Sequence, residues 1–357
     1  MTARRMEAQD AALQRNGGAA DEAGSPVTVT PAVDPVRPEA VQTAKRKLKG
    51  AGEPKAKPKS RKSFAMFLSI VPFLILVFLF SYFPLYGWIY SLFDYRPARG
   101  LDGSEFVGLQ WFELLVSSPT QLKQIGQVMA NTLGMSFLGI ATSILPLAFA
   151  VFLNEIKAKW FKNIVQTLTT LPNFISWVLV YMIAFSLFST TGLVNTVLID
   201  SGLITIPMKF LDSDQNVWLT MMAWSIWKGL GWGAIMYLAA IAGIDQSLYE
   251  SAKVDGAGRF KTMWYITVPQ LMPTYFVLLL LSIANLLNNG MEQYYVFQNA
   301  FNKEYIQVLD LYVYNVGITG NSLSMATAIS MLKSIISVIL LLTVNWLAKR
   351  VRGTALI

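Results

Sequence analysis

Neither cysteine nor histidine occurs among the 357 residues. Thiolate nucleophiles, disulfides, Cys/His metal centres and His-based proton transfer are therefore excluded. What remains for chemistry is carboxylates, lysines, amides and aromatic rings, and several of these fall at suggestive spacings. Asn285, Asn288, Asn289 and Glu292 lie within an arc of about 100° if their segment is helical. Trp224, Trp227, Lys228 and Gly231 share a second helical face. Amides beside aromatic planes suit a sugar, whose ring faces are apolar and whose rim is rich in hydroxyls. The same residues suit helix–helix packing, with amides bonding across a bundle. Lys228 and Lys333 sit in apolar surroundings, where a charge is costly and faces a cavity or a partner. Either they pair with Glu292 or with backbone carbonyls, or they offset the charge of an acidic sugar chain. No catalytic residue and no metal site emerges.

The elements that must position these side chains follow from composition. Hydrophobic residues make up 54% of the chain and charged residues only 14%, against about 25% charged in an average soluble domain. About 20 apolar residues span a hydrocarbon core, and six stretches qualify: about 64–92, 131–153, 164–188, 217–243, 271–291 and 324–348. The expected fold class is all-α, a polytopic bundle of about six membrane helices. Pro72, Pro84, Pro146 and Pro172 fall inside these stretches, which a bundle tolerates because neighbours satisfy the freed carbonyls. An amphipathic stretch, 111–116, follows the first span. The loop 292–323 carries Tyr294, Tyr295, Tyr305, Tyr312 and Tyr314, the composition of an interfacial aromatic belt.

Charge sets orientation. Of the 29 Lys and Arg residues, 13 precede Ser63, in a tail (1–62) rich in Ala, Pro, Gly and Lys and without apolar periodicity. We expect that tail to be disordered, with its basic end favouring the cytoplasmic side and anionic headgroups. Lys157, Lys159, Lys162, Lys253, Arg259, Lys261, Lys349, Arg350 and Arg352 then fall inside. Arg96, Arg99, Lys123, Lys209 and Lys303 fall outside. Both termini are expected to be cytoplasmic, with the membrane domain at 63–352 and a short end at 353–357. The first apolar stretch begins too late and runs too long for a secretory signal.

The segment 249–269, between the fourth and fifth stretches, is unlike a plain connector. It reads as two short helices broken at Asp255-Gly256-Ala257-Gly258, since glycine supplies the turn geometry. Phe260, Trp264 and Val268 recur on one face. Gly256-Ala257-Gly258-Arg259-Phe260-Lys261-Thr262 looks superficially like a phosphate-binding loop. It lacks the glycine before the lysine and does not follow a strand, so no ATP site is expected in this chain.

The same segment resembles the signature of the permease subunits of binding-protein-dependent ABC importers: Glu-Ala-Ala, three residues, Gly, nine residues, Ile, any residue, Leu-Pro. This chain supplies Glu250, Ser251 for the first Ala, Ala252, Gly256, Ile266, Val268 for Leu, and Pro269. Asp255, Gly256 and Ala257 match the longer form of the sugar branch. Segments 232–240, 290–293, 308–317 and 326–345 are similar to that branch too, in particular to members that import oligosaccharides and polyuronates such as alginate.

The resemblance implies a transport subunit, not an enzyme, in the inner membrane. Its path would carry a sugar, most readily an oligosaccharide or polysaccharide fragment, neutral or acidic. The implied partners are a second permease in a heterodimer, two cytoplasmic ATPase subunits holding ATP and Mg, and an extracellular or periplasmic solute-binding protein. No cofactor is implied in this chain, and no nucleic acid. Glu250, Ser251, Ala252, Asp255, Gly256, Ala257, Phe260, Trp264 and Pro269 would couple to the ATPase, with Glu250 as acidic contact, Gly256 as turn, and Phe260 and Trp264 filling an apolar groove. A secondary transporter or channel without an ATPase is the alternative. The absence of obvious internal duplication, and of an Asp within a span, argues against it.

Overall fold

Prolines and runs of short polar residues decide where the helices of this chain break. The computed structural model describes residues 60–352. The expected disordered tail therefore lies outside the described residues up to position 59, as does the end 353–357, while Ser60 to Lys62 open a helix. Two compact units divide between Leu74 and Ile75. Of the first, only the start of α1 (Ser60–Val77) is described.

In the second unit the chain passes from α1 through a wide turn, Phe78–Tyr82, into a tight 3-10 run, Phe83–Leu92. Pro84 stands at the start of that run, where its missing N–H cannot support an α-helical ladder. Next come α2 (Gln110–Ser117), α3 (Pro119–Ala141) and α4 (Ile144–Asn154). Pro146 sits in the first turn of α4, where an N–H has no intrahelical partner to lose. Then follow α5 (Lys159–Thr170), a 3-10 turn at Leu171–Phe174, α6 (Trp177–Phe188), α7 (Leu193–Asp200) and the central α8 (Val217–Ala242). α9 (Gln246–Val254) and α10 (Arg259–Thr262) precede a wide turn at Met263–Thr267 and α11 (Val268–Ala284). Short helices α12 (Glu292–Phe297), α13 (Lys303–Ile306) and α14 (Leu309–Tyr314) lead to α15 (Leu323–Arg352). No strand occurs among the described residues.

Five helical stretches are long and apolar enough to cross a membrane: Phe67–Leu92, Pro119–Asn154, Trp177–Asp200, Arg259–Ala284 and Leu323–Arg350. α8 passes together with α9, across a bend of 73°. The all-α polytopic bundle is thus the fold, and three expected spans need correction. The second begins a dozen residues earlier than 131, because hydropathy reports lipid contact and the first turns of α3 are polar (Thr120, Gln121, Lys123, Gln124). The third is not continuous through Pro172. The membrane-length stretch, Trp177–Asp200, begins after the break with α6. α5 before it continues the line of α6 along α8, with Lys162 and Gln166 near Ile241, Thr169 against Gly231, and Phe188 against Trp224. The fifth ends at Ala284, not 291, because the Asn285, Asn288 and Asn289 side chains compete for backbone hydrogen bonds and Gly290 takes a left-handed conformation at φ +73°.

α8 organises the core, packing on α3, α4, α5 and α11. At one end Met135, Val180, Ala184, Met221, Tyr294 and Phe297 pack together, and at the other Leu147, Ala150, Ala234, Tyr237, Met263 and Leu271. A third cluster joins α2 and α3 to α14 and α15 through Leu115, Val128, Tyr312 and Ile329. Tyr294 and Tyr312 are buried core residues and not belt anchors, whereas Tyr295 and Tyr305 remain exposed.

Candidate functional site

The segment 249–269 begins as expected and ends differently. α9 is capped by Asp245, whose carboxylate accepts from the Ser247 backbone N–H at 2.9 Å. That bond holds the Asp245 carboxyl below its ordinary range, with the Ser247 side chain adding to the effect. The cap is therefore intact above the ordinary aspartate pKa and is lost as pH falls through the depressed value. Sequence reasoning missed Asp245. Its signal was an Asp two residues before a Ser at the head of a polar, amphipathic run.

α9 stops at a Schellman turn. Ala257 N donates to Ala252 O at 2.8 Å, Gly256 N donates to Lys253 O at 3.2 Å, and Gly256 has φ +72°. A side chain at Gly256 would meet nothing within 4 Å, so its requirement for glycine is one of backbone conformation alone. Beyond the turn, the expected second short helix is not separate. α10 runs through the Met263–Thr267 turn into α11, and the whole of Arg259–Ala284 forms one span.

Around this turn the side chains face outward. Val254 is 88% exposed, Phe260 79% and Trp264 70%, an apolar surface on a loop tip. Glu250, Ser251, Asp255 and Pro269 are exposed beside it, while Ala252 and Ala257 are half-buried. Val268, expected on the same face as Phe260 and Trp264, instead packs into the core beside Met263, because the wide turn at Met263–Thr267 shifts the helical phase. The Tyr249 hydroxyl meets that of buried Thr267 at 3.1 Å and ties α9 to the base of the next span. Replacing Tyr249 with Phe should leave Thr267 without that partner and lower transport per ATP about fivefold. The uptake-to-hydrolysis ratio in proteoliposomes measures it, and an unchanged ratio would show the bond to be idle.

The second set of expected residues divides. Asn285, Asn288 and Glu292 are exposed but do not form one helical arc, since α11 has ended. Asn285 caps its own helix through Leu281 O at 2.9 Å and accepts from Asn288 at 3.3 Å. Asn289 turns into the bundle and donates to Ser136 at 2.9 Å. Gln293, not anticipated, is buried between α12 and α8: it donates to Met221 O and accepts from Ser225, each at 2.7 Å. On α8, Trp224 packs edge-on against Phe188 and Trp227 and leans on Phe297, so its rings belong to an aromatic cluster. Trp227 remains 42% exposed beside an apolar cavity of about 460 Å³.

Both lysines have internal partners. Lys228 donates to Pro172 O at 3.2 Å and Asn173 O at 2.7 Å, the carbonyl pairing foreseen as one option. Lys333 pairs with Asp310, and neither Glu292 nor a carbonyl takes that place. Asp310 also accepts from Gly290 N at 2.9 Å. Its signal in the sequence was a lone acid inside the apolar run Val308–Tyr312.

Residues 142–353 match the family described as binding-protein-dependent transport system inner membrane component, and the chain belongs to that family. It is 37% identical over 288 residues to Protein LplB of Bacillus subtilis (strain 168), covering 80% of this chain and 88% of that one. It is 38% identical over 294 residues to the polygalacturonan/rhamnogalacturonan transport system permease protein YteP of the same organism, with the same coverage. In the crystal structure of a bacterial ABC transporter involved in the import of the acidic polysaccharide alginate, one chain superposes with a TM-score of 0.71 at 29% identity. The match covers 82% of this chain and 97% of that one. The protein is thus a multi-pass permease subunit of an ABC importer, and not the uncoupled transporter or channel that composition left open.

Proposed function

We propose that this chain forms one half of the passage for an acidic oligosaccharide, in a complex with a second, similar permease. Two cytoplasmic ATPase subunits holding ATP and Mg drive it, and a solute-binding protein delivers the sugar from the far side of the membrane. Both termini then lie in the cytoplasm. The observation that carries the proposal is the exposed surface of Val254, Phe260 and Trp264 around the Gly256 turn, with Glu250 beside it. An apolar patch held out on a loop tip marks an interaction surface. The acidic substrate rests on relatives: one is described as importing an acidic polysaccharide and another as transporting polygalacturonan. Trp227, Asn285, Asn288 and Glu292 are the exposed members of the candidate path.

Two measurements test this. Co-purification in mild detergent should bring an ATPase and a second permease with the chain, and isolation in active form alone would overturn the coupling. The cognate solute-binding protein should bind uronate oligosaccharides at least about tenfold more tightly than neutral ones of equal length, a difference of about 1.4 kcal/mol. The reverse preference would overturn the acidic class and leave the coupling intact.

A further inference from the structure

The stretch expected as the third span is broken at Pro172, and what holds its two halves, α5 and α6, differs. Pro172 and the 3-10 turn Leu171–Phe174 end α5, and the carbonyls of that turn lie outside an α-helical ladder. Inside a membrane such groups must find partners within the protein. The Lys228 ammonium bonds two carbonyls of the turn, Asn173 O and Pro172 O, the latter also accepting from Ile175 N at 3.2 Å. It lies 5.4 Å from the ring centroid of Trp177 at the start of α6. A cation at the carboxyl end of a helix is also where the helix dipole favours one.

Two more contacts of α8 grip the same stretch. At Gly231 a Cβ would lie 2.3 Å from the carbonyl carbon and oxygen of Thr169, so the backbones of α5 and α8 touch. At Trp232 the ring meets Phe174 edge-on, with centroids 5.7 Å apart. Lys228, Gly231 and Trp232 share one face of α8. Past the extended link Ile175–Ser176 the packing changes. There α6 faces α8 through side chains, across the apolar cavity of about 460 Å³ lined by Ile183, Leu187, Phe188, Ala223 and Trp224. Below the break the fit excludes even a methyl group, while above it the cavity separates α6 from much of α8, and α6 packs instead through Val180 and Ala184 toward Met221, Tyr294 and Phe297.

We propose that Lys228 is a positioning residue that locks α5 and its terminal turn to α8, so that these move as one body while α6 pivots about Ile175–Ser176. α9 joins α8 across a short break bent by 73°, so displacement of the α9 loop passes through that bend and along α8 to Lys228. This rests on the coupling reading of that loop. Lys228 acts on protein geometry and does not contact the sugar.

The absence of cysteine from this chain lets spin labels be placed at chosen positions of it, with any cysteines of its partners replaced before assembly. A pair at Phe161→Cys and Met236→Cys reports α5 against α8, and a pair at Phe185→Cys and Met236→Cys reports α6 against α8. All three positions are exposed. ATP should shift the second distance and leave the first fixed. Lys228→Met should broaden the first distance without nucleotide, and lower uptake about tenfold for a uronate trisaccharide and a neutral glucose trisaccharide alike. Lys228→Arg, which can still donate to both carbonyls, should restore a narrow distance and most of the uptake. The proposal is overturned if the first distance moves with ATP, if Lys228→Met leaves that distance narrow, or if only the uronate is affected, which would assign Lys228 to the substrate's charge. If neither pair responds to ATP while the ATPase still co-purifies, the pivot fails and the docking of the ATPase stands. Failure of co-purification removes the docking instead, and the nucleotide-free comparison still decides the lock.

Discussion

Gly256→Pro should abolish ATP-driven uptake while leaving the protein in the membrane at a normal level. Gly256 holds φ at +72°, whereas proline is confined near −65° and has no N–H to give. Both Schellman bonds, from Ala257 to Ala252 and from Gly256 to Lys253, would be lost or displaced. α9 would then leave the turn in a new direction, carrying Glu250 away from Phe260 and Trp264. Gly256→Ala isolates the conformational part, because nothing lies within 4 Å of the added carbon. It costs about 1 to 2 kcal/mol for a left-handed residue, and Gly256→Asn should cost less. Uptake should fall in the order Gly, Asn, Ala, Pro. Glu250→Lys tests the same surface by charge, leaving the turn intact and reversing the acidic contact. Uptake, ATPase co-purification and membrane abundance measured together decide the matter. Normal uptake with Gly256→Pro and Glu250→Lys would sink the coupling role.

The second large effect is expected at Asp310. Its carboxylate joins Lys333 on α15 and Gly290 N in the break after α11, and both charged side chains are mostly buried, at 14% and 21% exposure. Asp310→Ala leaves an ammonium without its counter-charge and a turn without its acceptor. Loss of one partner of a buried pair costs about 3 to 5 kcal/mol, so the melting temperature in detergent should drop well below that of the parent. Removing both charges, with Asp310→Leu and Lys333→Met together, should recover most of that loss, since two apolar side chains can fill the site at little cost. A double variant as unstable as the single one would show that the Gly290 contact, and not the charge pair, carries the stability.

Hydropathy located the bundle because a lipid-facing helix must be apolar for most of its length. It erred where the chain departs from that condition. The polar opening of α3 is helical but unlike a span, and Pro172 divides a stretch whose composition is uniform. The amides 285, 288 and 289 looked like one helical face because spacing alone cannot reveal that the helix has ended. The α9 loop was legible down to the turn at Gly256, since local backbone requirements are written in local residues. Its far arm was not, because the wide turn at Met263–Thr267 merges it with the next span. Partners distant in sequence stayed hidden. Lys333 was visible as a costly charge, while Asp310, a lone acid in a short apolar run, gave no sign that its partner lay 23 residues on.

The Lys333–Asp310 pair also bears on how the chain is made. A lysine within a membrane-spanning helix costs about 2.5 to 3.5 kcal/mol on entry, and α15 carries Lys333 in its first half. Asp310 precedes it by 23 residues, so the acid has already been synthesised when the base emerges. α15 thus reaches the bilayer with its neutralising partner upstream, and its stable insertion is expected to depend on α14 having taken its place. Damage to that short segment should appear as α15 failing to integrate, a fault of biogenesis in a subunit whose remaining spans are sound.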